Sequence, residues 1–262
     1  MSSGVYLSVV LPAYNEAGSI RSTLTAMQSY LDRQRYTYEI IVSADGDDET
    51  PAIVSEIARD WPALKLTAEP GRHGKGHGLR RGMRLASGDV VGFIDADYKT
   101  PIDEIEKVLP WLDAGYDLVA GSRALVDSDI KVYQPRYRQI GSWAFGKLMH
   151  TLIGLHHIRD TQCGFKFFTR ECAEEIFSRT RIDGYMCDVE ILCIAEQLGY
   201  SVREIGIVWR DDGDSRLSLI RGNIQNVMDL LRIRLTRFQI GRRPRRVPVR
   251  VMEPNIPEQL AS

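Results

Sequence analysis

Apolar runs alternate with amphipathic stretches through the first half of the chain. Residues 5–11 form a β-branched apolar run, residues 39–43 (EIIVS) a second, residues 64–68 a short third and residues 90–94 (VVGFI) a fourth. Between them, residues 19–31 and 52–60 read as helices, the latter with Pro51 suited to a first helical turn. A Gly- and base-rich loop, residues 71–78, leads into a further helix ending near Ala86. This rhythm predicts an α/β fold, with a mostly parallel central sheet and helices on both faces.

The second half is less regular. Residues 102–109 read as helix, and residues 117–120 as a strand ending in Gly121-Ser122-Arg123. Residues 124–138, with Tyr133, Pro135 and Tyr137, read as a mobile loop, and residues 140–155 as an amphipathic helix. A turn at 160–164 feeds a strand, and a helix over 189–198 and a strand over 201–208 complete the core. Apolar positions then recur at near-helical spacing over 217–240, joined to an Arg-rich polar face and the run GRRPRRVPVR. The expected organisation is one domain over 1–212, an amphipathic helical segment over 213–240 and a flexible basic Pro/Arg tail over 241–262.

Charge changes this picture at one end. The net charge is −1, yet eight arginines and no acid fall between positions 230 and 252, which leaves about −9 on the rest. A basic end on an acidic body points to an anionic partner, lipid headgroups or nucleic acid. The basic run lacks interleaved stacking aromatics and a reading motif, so nucleic acid is not expected. The opening residues have neither a basic region nor the apolar length of a signal peptide. No window approaches eighteen uninterrupted apolar residues, so a membrane span is not expected. The four cysteines lack Cys-x-x-Cys spacing and read as reduced, buried thiols of a cytoplasmic protein.

Candidate chemistry gathers at strand ends. Asp95 and Asp97 follow the apolar run 90–94, where open α/β sheets place their ligand crevices. Alternation along an extended chain would put both carboxylates on one side of the small Ala96. Two such charges repel, and a divalent cation bridging to phosphate would relieve them. The alternative is a solvated acidic turn. Asp45, in the acidic cluster after the second strand, can accept a hydrogen bond from a nucleobase, or a member of that cluster can cap the next helix. Lys75, with Arg72, Arg80 and Arg81 around it, suits phosphate contact, or else an exposed basic loop. Together with Tyr14 and Glu16 after strand one, these residues outline a nucleotide-diphosphate site with a metal. His156, His157 and Trp209 read as structural.

LPAYNE, the acidic turn after EIIVS, GKGHGLRRGM, FIDADYKTP, GSR, DTQCGFKFF and CDVEIL occur in the order found in family 2 glycosyltransferases of the GT-A fold. Over residues 6–210 the chain resembles this family, and DTQCGFK in particular resembles its polyprenyl- and dolichyl-phosphate glucosyltransferase members. The resemblance implies that Asp95, Ala96 and Asp97 form the metal and diphosphate motif, with Asp95 and Asp97 at Mn²⁺ or Mg²⁺. Asp97 would be the direct ligand, and Asp95 would lie nearer ribose and phosphate. It implies that Pro12, Ala13, Tyr14 and Glu16 wall the base and ribose, that Asp45 contacts the base and Lys75 the diphosphate. Arg123 matches an arginine near the sugar or acceptor phosphate. Ala44 stands where the family usually has the first of two acids, which bears on base preference. Lys99 stands where mannosyl-transferring relatives carry a metal-reaching Gln, and a charged Lys cannot ligate.

The implied function is inverting, metal-dependent transfer of a hexose, glucose from UDP-glucose, to a polyprenyl phosphate. Arg123, Arg136 and Arg138 are candidates to hold the acceptor phosphate, whose second pKa of roughly 6 leaves it ionised without a base. If the acceptor were a hydroxyl, Asp160 or Asp188 would serve as base, unless each is a cap or a structural ion pair. The alternatives are mannose from GDP-mannose or GlcNAc delivered to a lipid phosphate or glycan hydroxyl, and a nucleotide-binding scaffold without turnover. The basic end would hold the protein peripherally on the anionic cytoplasmic membrane face. The alternative for that segment is a helix packed on the core, and self-association as a homodimer is left open.

Overall fold

The structure is a computed structural model, and it describes residues 4–130, 149, 151–210 and 221–236. In chain order the first half comprises β1 (Leu7–Tyr14), α1 (Ile20–Leu31), β2 (Tyr38–Asp45), α2 (Thr50–Ala58), β3 (Leu64–Glu69), α3 (Lys75–Met83) and β4 (Val90–Ile94). A 3₁₀ turn (Ile102–Glu104) leads to α4 (Ile105–Asp113), β5 (Leu118–Ser122) and β6 (Asp129–Ile130). The remainder is β7 (Phe165–Thr169), α5 (Arg170–Phe177), α6 (Cys187–Gln197), β8 (Val202–Gly206), β9 (Val208–Trp209) and α7 (Arg221–Thr236).

Seven strands form one sheet in the order β3-β2-β1-β4-β7-β5-β8. All neighbours are parallel except β7, which runs antiparallel to both β4 and β5. The alternation of the strands sorts side chains between two cores. Leu7, Val9 and Leu11 of β1 face α1, α2 and α4, whereas Val10 joins the opposite core with α3, α5, α6 and α7. In β4, Val90 and Ile94 face one side and Val91 and Phe93 the other. A strand covered on both faces is apolar along its whole length, as β4 is.

Several boundaries differ from the sequence-based expectation. Residues 75–78 belong to α3 and not to a loop, because Gly76 lets the helix pack closely against Ile182 and Gly78 lets it pack against β1 and β2. Helix α4 continues through Pro110 to Asp113, beyond the expected stop at Leu109. Helix α5, for which the sequence suggested no element, follows β7 directly. The expected mobile loop falls largely, and the expected helix over 140–155 mainly, outside the described residues. So do residues 211–220 and the tail from 237 onward.

Because β7 runs backward, its N-terminal end meets the C-terminal ends of its neighbours. Ile94, the last residue of β4, is paired with Phe165, the first of β7. The turn at 160–164 therefore arrives at the sheet edge where β1, β2, β4 and β5 all end.

Candidate active site

The carboxylates after β4 are arranged by a turn and not by the pleat. The strand stops at Ile94, and the Tyr98 N–H donates to the Asp95 carbonyl at 3.1 Å, which closes residues 95–98 into a turn with Tyr98 at φ 54°. The expected same-side placement by strand alternation is thus replaced by turn geometry. Thr23 Oγ1 donates to the Ala96 carbonyl (3.0 Å), and the Asp95 N–H donates to the Gly164 carbonyl (3.0 Å). Gly164 has no alternative here, since a Cβ on it would lie 1.9 Å from an Asp95 carboxylate oxygen.

Lys75 opens α3 and reaches two acids, Asp95 Oδ1 and Asp188 Oδ2, each at 2.8 Å. Asp188, in the first turn of α6, also takes Lys166 Nζ at 2.7 Å on its other oxygen. Lys166 is fully buried on β7, and its ammonium also donates to the Cys163 carbonyl at 2.6 Å and the Thr161 carbonyl at 3.3 Å. Both ammonium groups lie over the Phe93 ring, 5.4 and 5.6 Å from its centroid. Burial works against the charge on Lys75, but Asp188 and Asp95 more than offset it and hold its pKa above the ordinary value. Asp188 is likewise desolvated, yet Lys166 and Lys75 keep its carboxyl below the usual range. Sequence reasoning missed Lys166. The signal was a single lysine among Phe165, Phe167 and Phe168, a position that a chain does not bury without a partner.

Asp95 behaves differently. Desolvation raises its carboxyl above the ordinary range, Lys75 opposes this, and the like charges of Asp188 and Asp97 add to it. Asp97 is 40% exposed, and its Oδ2 lies 3.5 Å from Lys99 Nζ. An all-oxygen pair at an open sheet edge, one carboxylate of it exposed, fits a hard divalent cation such as Mg²⁺ or Mn²⁺.

On the β1–β2 side, buried Asp45 accepts from Arg81 Nη2 at 2.8 Å and from the His73 N–H at 3.2 Å. Arg81 also donates to the Ala44 carbonyl (2.9 Å), Ser43 Oγ (3.2 Å) and Glu69 (3.0 Å). Pro12, Ala13 and Tyr14 end β1, and Arg72 lies over the partly exposed Tyr14 ring at 4.9 Å. The Glu16 carboxylate accepts from Ser19 Oγ at 2.7 Å, and its N–H donates to Thr50 Oγ1 at 2.9 Å. Within the acidic cluster the N-cap residue of α2, Glu49, makes no side-chain cap hydrogen bond, and Asp48 instead accepts from the N–H groups of Thr50 (3.0 Å) and Ala17 (2.9 Å).

The third side is built from β5 and the 160–164 turn. Arg123 clasps Asp160 with Nε (2.7 Å), Nη2 (2.9 Å) and its own N–H (2.9 Å). Burial opposes this, but Arg123 holds the Asp160 carboxyl below the usual range. Trp209, which the sequence suggested was structural, stands beside the site, 5.5 Å from Arg123 and 5.8 Å from Lys99. His157 pairs with Glu196 at 3.0 Å. Arg136 and Arg138 lie outside the described residues. The structure thus gathers Tyr14, Asp45, Lys75, Asp95, Asp97, Arg123, Asp160 and Asp188 along one sheet edge, and adds Lys166 and Trp209. All four cysteines are free and buried, and burial pushes the Cys163 thiol up to about 12, which disfavours its thiolate.

Known proteins resemble this chain in sequence and in fold. Residues 8–177 match the sequence model described as Glycosyl transferase family 2. A dolichyl-phosphate beta-glucosyltransferase of Trichomonas vaginalis is 36% identical over 245 residues, covering 88% of this chain and 73% of that protein. The human dolichyl-phosphate beta-glucosyltransferase is 32% identical over 245 residues, covering 87% and 75%. Among solved structures, glucosyl-3-phosphoglycerate synthase from Mycobacterium tuberculosis in complex with Mn²⁺ and UDP-glucose superposes with a TM-score of 0.66 at 23% identity, covering 92% of this chain and 81% of that one. Mannosyl-3-phosphoglycerate synthase from Rubrobacter xylanophilus superposes with a TM-score of 0.68 at 18% identity, covering 90% and 75%. These two likenesses establish the GT-A fold.

Proposed function

The chain belongs to glycosyltransferase family 2, and we propose that it transfers glucose from UDP-glucose to a polyprenyl phosphate, with inversion at the anomeric carbon. The relatives named above support the sugar and the lipid acceptor, and the fold neighbour with UDP-glucose and Mn²⁺ supports the donor. Asp95 and Asp97 would hold Mn²⁺ or Mg²⁺. Bound there, the ion supplies charge neutralisation to the leaving diphosphate.

One observation carries the choice of acceptor. The two acids eligible as a general base, Asp160 and Asp188, are both clamped by cations and both have lowered pKa values. A useful base needs a pKa near the working pH. Two carboxylates held this way are poor bases, whereas a lipid phosphate arrives already ionised and needs none. The residues then have other work. Asp188 fixes Lys75 beside Asp95, where the ammonium faces the diphosphate. Asp160 holds Arg123 with its guanidinium near Trp209, and that arginine, with Arg136 and Arg138, would receive the acceptor phosphate. Pro12, Ala13, Tyr14, Glu16 and Asp45 would form the wall for base and ribose.

A lipid acceptor must be met at a surface. Among the described residues no helix is long and apolar enough to cross a membrane. Helix α7 buries Leu230 and Ile233 against the core but exposes Ile224, Met228, Leu231 and Leu235 on its outer side, next to the exposed Arg232 and Arg234. Apolar side chains edged by arginine fit insertion among anionic headgroups.

The test is transfer of labelled glucose from UDP-glucose to polyprenyl phosphate, run with Mn²⁺ and with chelator, beside GDP-mannose as donor and a soluble hydroxyl acceptor. Metal-dependent glucolipid formation supports the proposal. Transfer from GDP-mannose would overturn the donor, and transfer to the hydroxyl alone would overturn the acceptor.

A further inference from the structure

At the far side of the sheet edge, beyond Asp45, three metal-binding side chains converge that the reaction above does not use. Glu69 is the last residue of β3, His77 lies in the first turn of α3, and His73 lies between them. His73 and His77 are four apart in sequence but do not share a helix face, because α3 begins only at Lys75. Gly74, at φ 104°, turns the chain back on itself just before the helix. That fold-back brings the two imidazoles to 5.0 Å between centroids, inclined at 33°.

The donor atoms already form the edge of a coordination sphere. His77 Nε2 is 3.0 Å from one Glu69 carboxylate oxygen, and His73 Nε2 is 3.5 Å from the other. All three donor atoms lie within 4.8 Å of one another. Around a tetrahedral ion with bonds of about 2.0–2.2 Å, donors sit about 3.3–3.6 Å apart. The edge from His73 to Oε1 is therefore near that spacing, while His77 Nε2, which contacts Oε2, has to turn towards the ion and close both of its edges. All three side chains are partly exposed, so side-chain rotation can close them without moving the core.

We propose that Glu69, His73 and His77 bind a divalent transition-metal ion of the Zn²⁺ class, separate from the Asp95–Asp97 pair. Two imidazoles and one carboxylate make the donor set of an open zinc site, with a fourth position left for water. Asp95 and Asp97 offer oxygen only and suit Mg²⁺ or Mn²⁺. The two sites are thus separable by the metal supplied. Arg81 donates to Glu69 Oε2 at 3.0 Å, but Asp45, the Ala44 carbonyl and Ser43 also share that guanidinium, and Glu69 keeps its other oxygen for the ion. His73 Nε2 lies 2.9 Å from the Pro70 carbonyl, a contact the ion would replace. Occupancy ties the end of β3 to the start of α3 and fixes the turn whose His73 N–H reaches Asp45.

The test uses the full chain, stripped of metal and then given equimolar Co²⁺ or Zn²⁺, beside His73→Gln/His77→Gln and Asp97→Asn. The expected result is a tetrahedral Co²⁺ visible spectrum and a Zn²⁺-dependent rise in melting temperature. Asp97→Asn keeps both, and the double histidine variant loses both while melting normally without metal. A spectrum unchanged in the histidine variant overturns the proposal. So does the absence of a Co²⁺ spectrum or a Zn²⁺ shift in the native chain, which would make the cluster an ordinary ion pair. Glucose transfer is not read in this experiment, so its outcome is independent of the proposed reaction.

Discussion

Asp95 and Asp97 are two residues apart but sit in different balances of charge. Lys75 is bonded to Asp95, whereas Asp97 is open to solvent beside Lys99. Asp97→Asn is expected to abolish transfer while leaving the melting temperature unchanged, and retained transfer would remove Asp97 from the metal role. Lys166 carries a structural load of a different kind. Lys166→Met leaves Asp188 with Lys75 alone and is expected to cost about 3 kcal/mol in urea unfolding, since a buried carboxylate loses one of its two counter-charges. The double variant Lys166→Met/Asp188→Asn should recover part of that loss, and a double variant as unstable as the single would refute the pairing argument. The acids also set a pH dependence. Asp160 and Asp188 have folded pKa values below the ordinary 3.8, so their stabilisation is complete above that value and is lost as pH falls through the folded pKa. The urea midpoint should fall steeply below about pH 4, and less steeply in Asp160→Asn. Parallel slopes would count against the Arg123–Asp160 pair as the source.

Helix α3 shows how an element can be misread one residue at a time. Its sequence, KGHGLRRGM, holds three glycines, which weigh against a helix in any propensity argument. Tertiary contact decides otherwise: a Cβ at Gly76 would lie 2.1 Å from the Ile182 carbonyl and 2.7 Å from Cys187 Cβ. Gly76→Ala should therefore lower stability by about 1–3 kcal/mol and displace Lys75 from Asp188, whereas Gly18→Ala, with nothing within 4 Å of its Cβ, should be near neutral. Equal melting temperatures for the two variants would refute the close-packing reading. The strands of the first half were legible because each is an unbroken apolar run ending in polar residues. The turn at 95–98 was not, because the point where β4 stops depends on its pairing with β7. Nor was α5 legible, being a short segment that starts at once after a strand. Residues 95, 97, 45 and 75 could be picked out from strand ends and charge, but the pairing of Asp45 with Arg81 and of Lys75 with Asp188 joins different elements and needs the packed sheet to be seen.

The whole molecule presents its chemistry at one sheet edge and an exposed apolar stripe on α7. Substituting Ile224 and Leu235 by Ser should weaken flotation with anionic vesicles without altering the melting temperature, because both side chains are exposed. Undiminished flotation would count against α7 as the contact. The sheet order has a further consequence, for the birth of the chain. Strands β1 to β4 are complete once residue 94 has been made, but the partner that covers β4 is residues 165–169, about 70 positions later. At a synthesis rate of about 5–20 residues per second, the nascent protein carries a bare, wholly apolar strand edge for roughly 4–14 s. Such an edge is a template for pairing with another chain. A nascent chain halted near residue 125 should be captured by chaperones or aggregate, and one extended past β7 and clear of the ribosome should not.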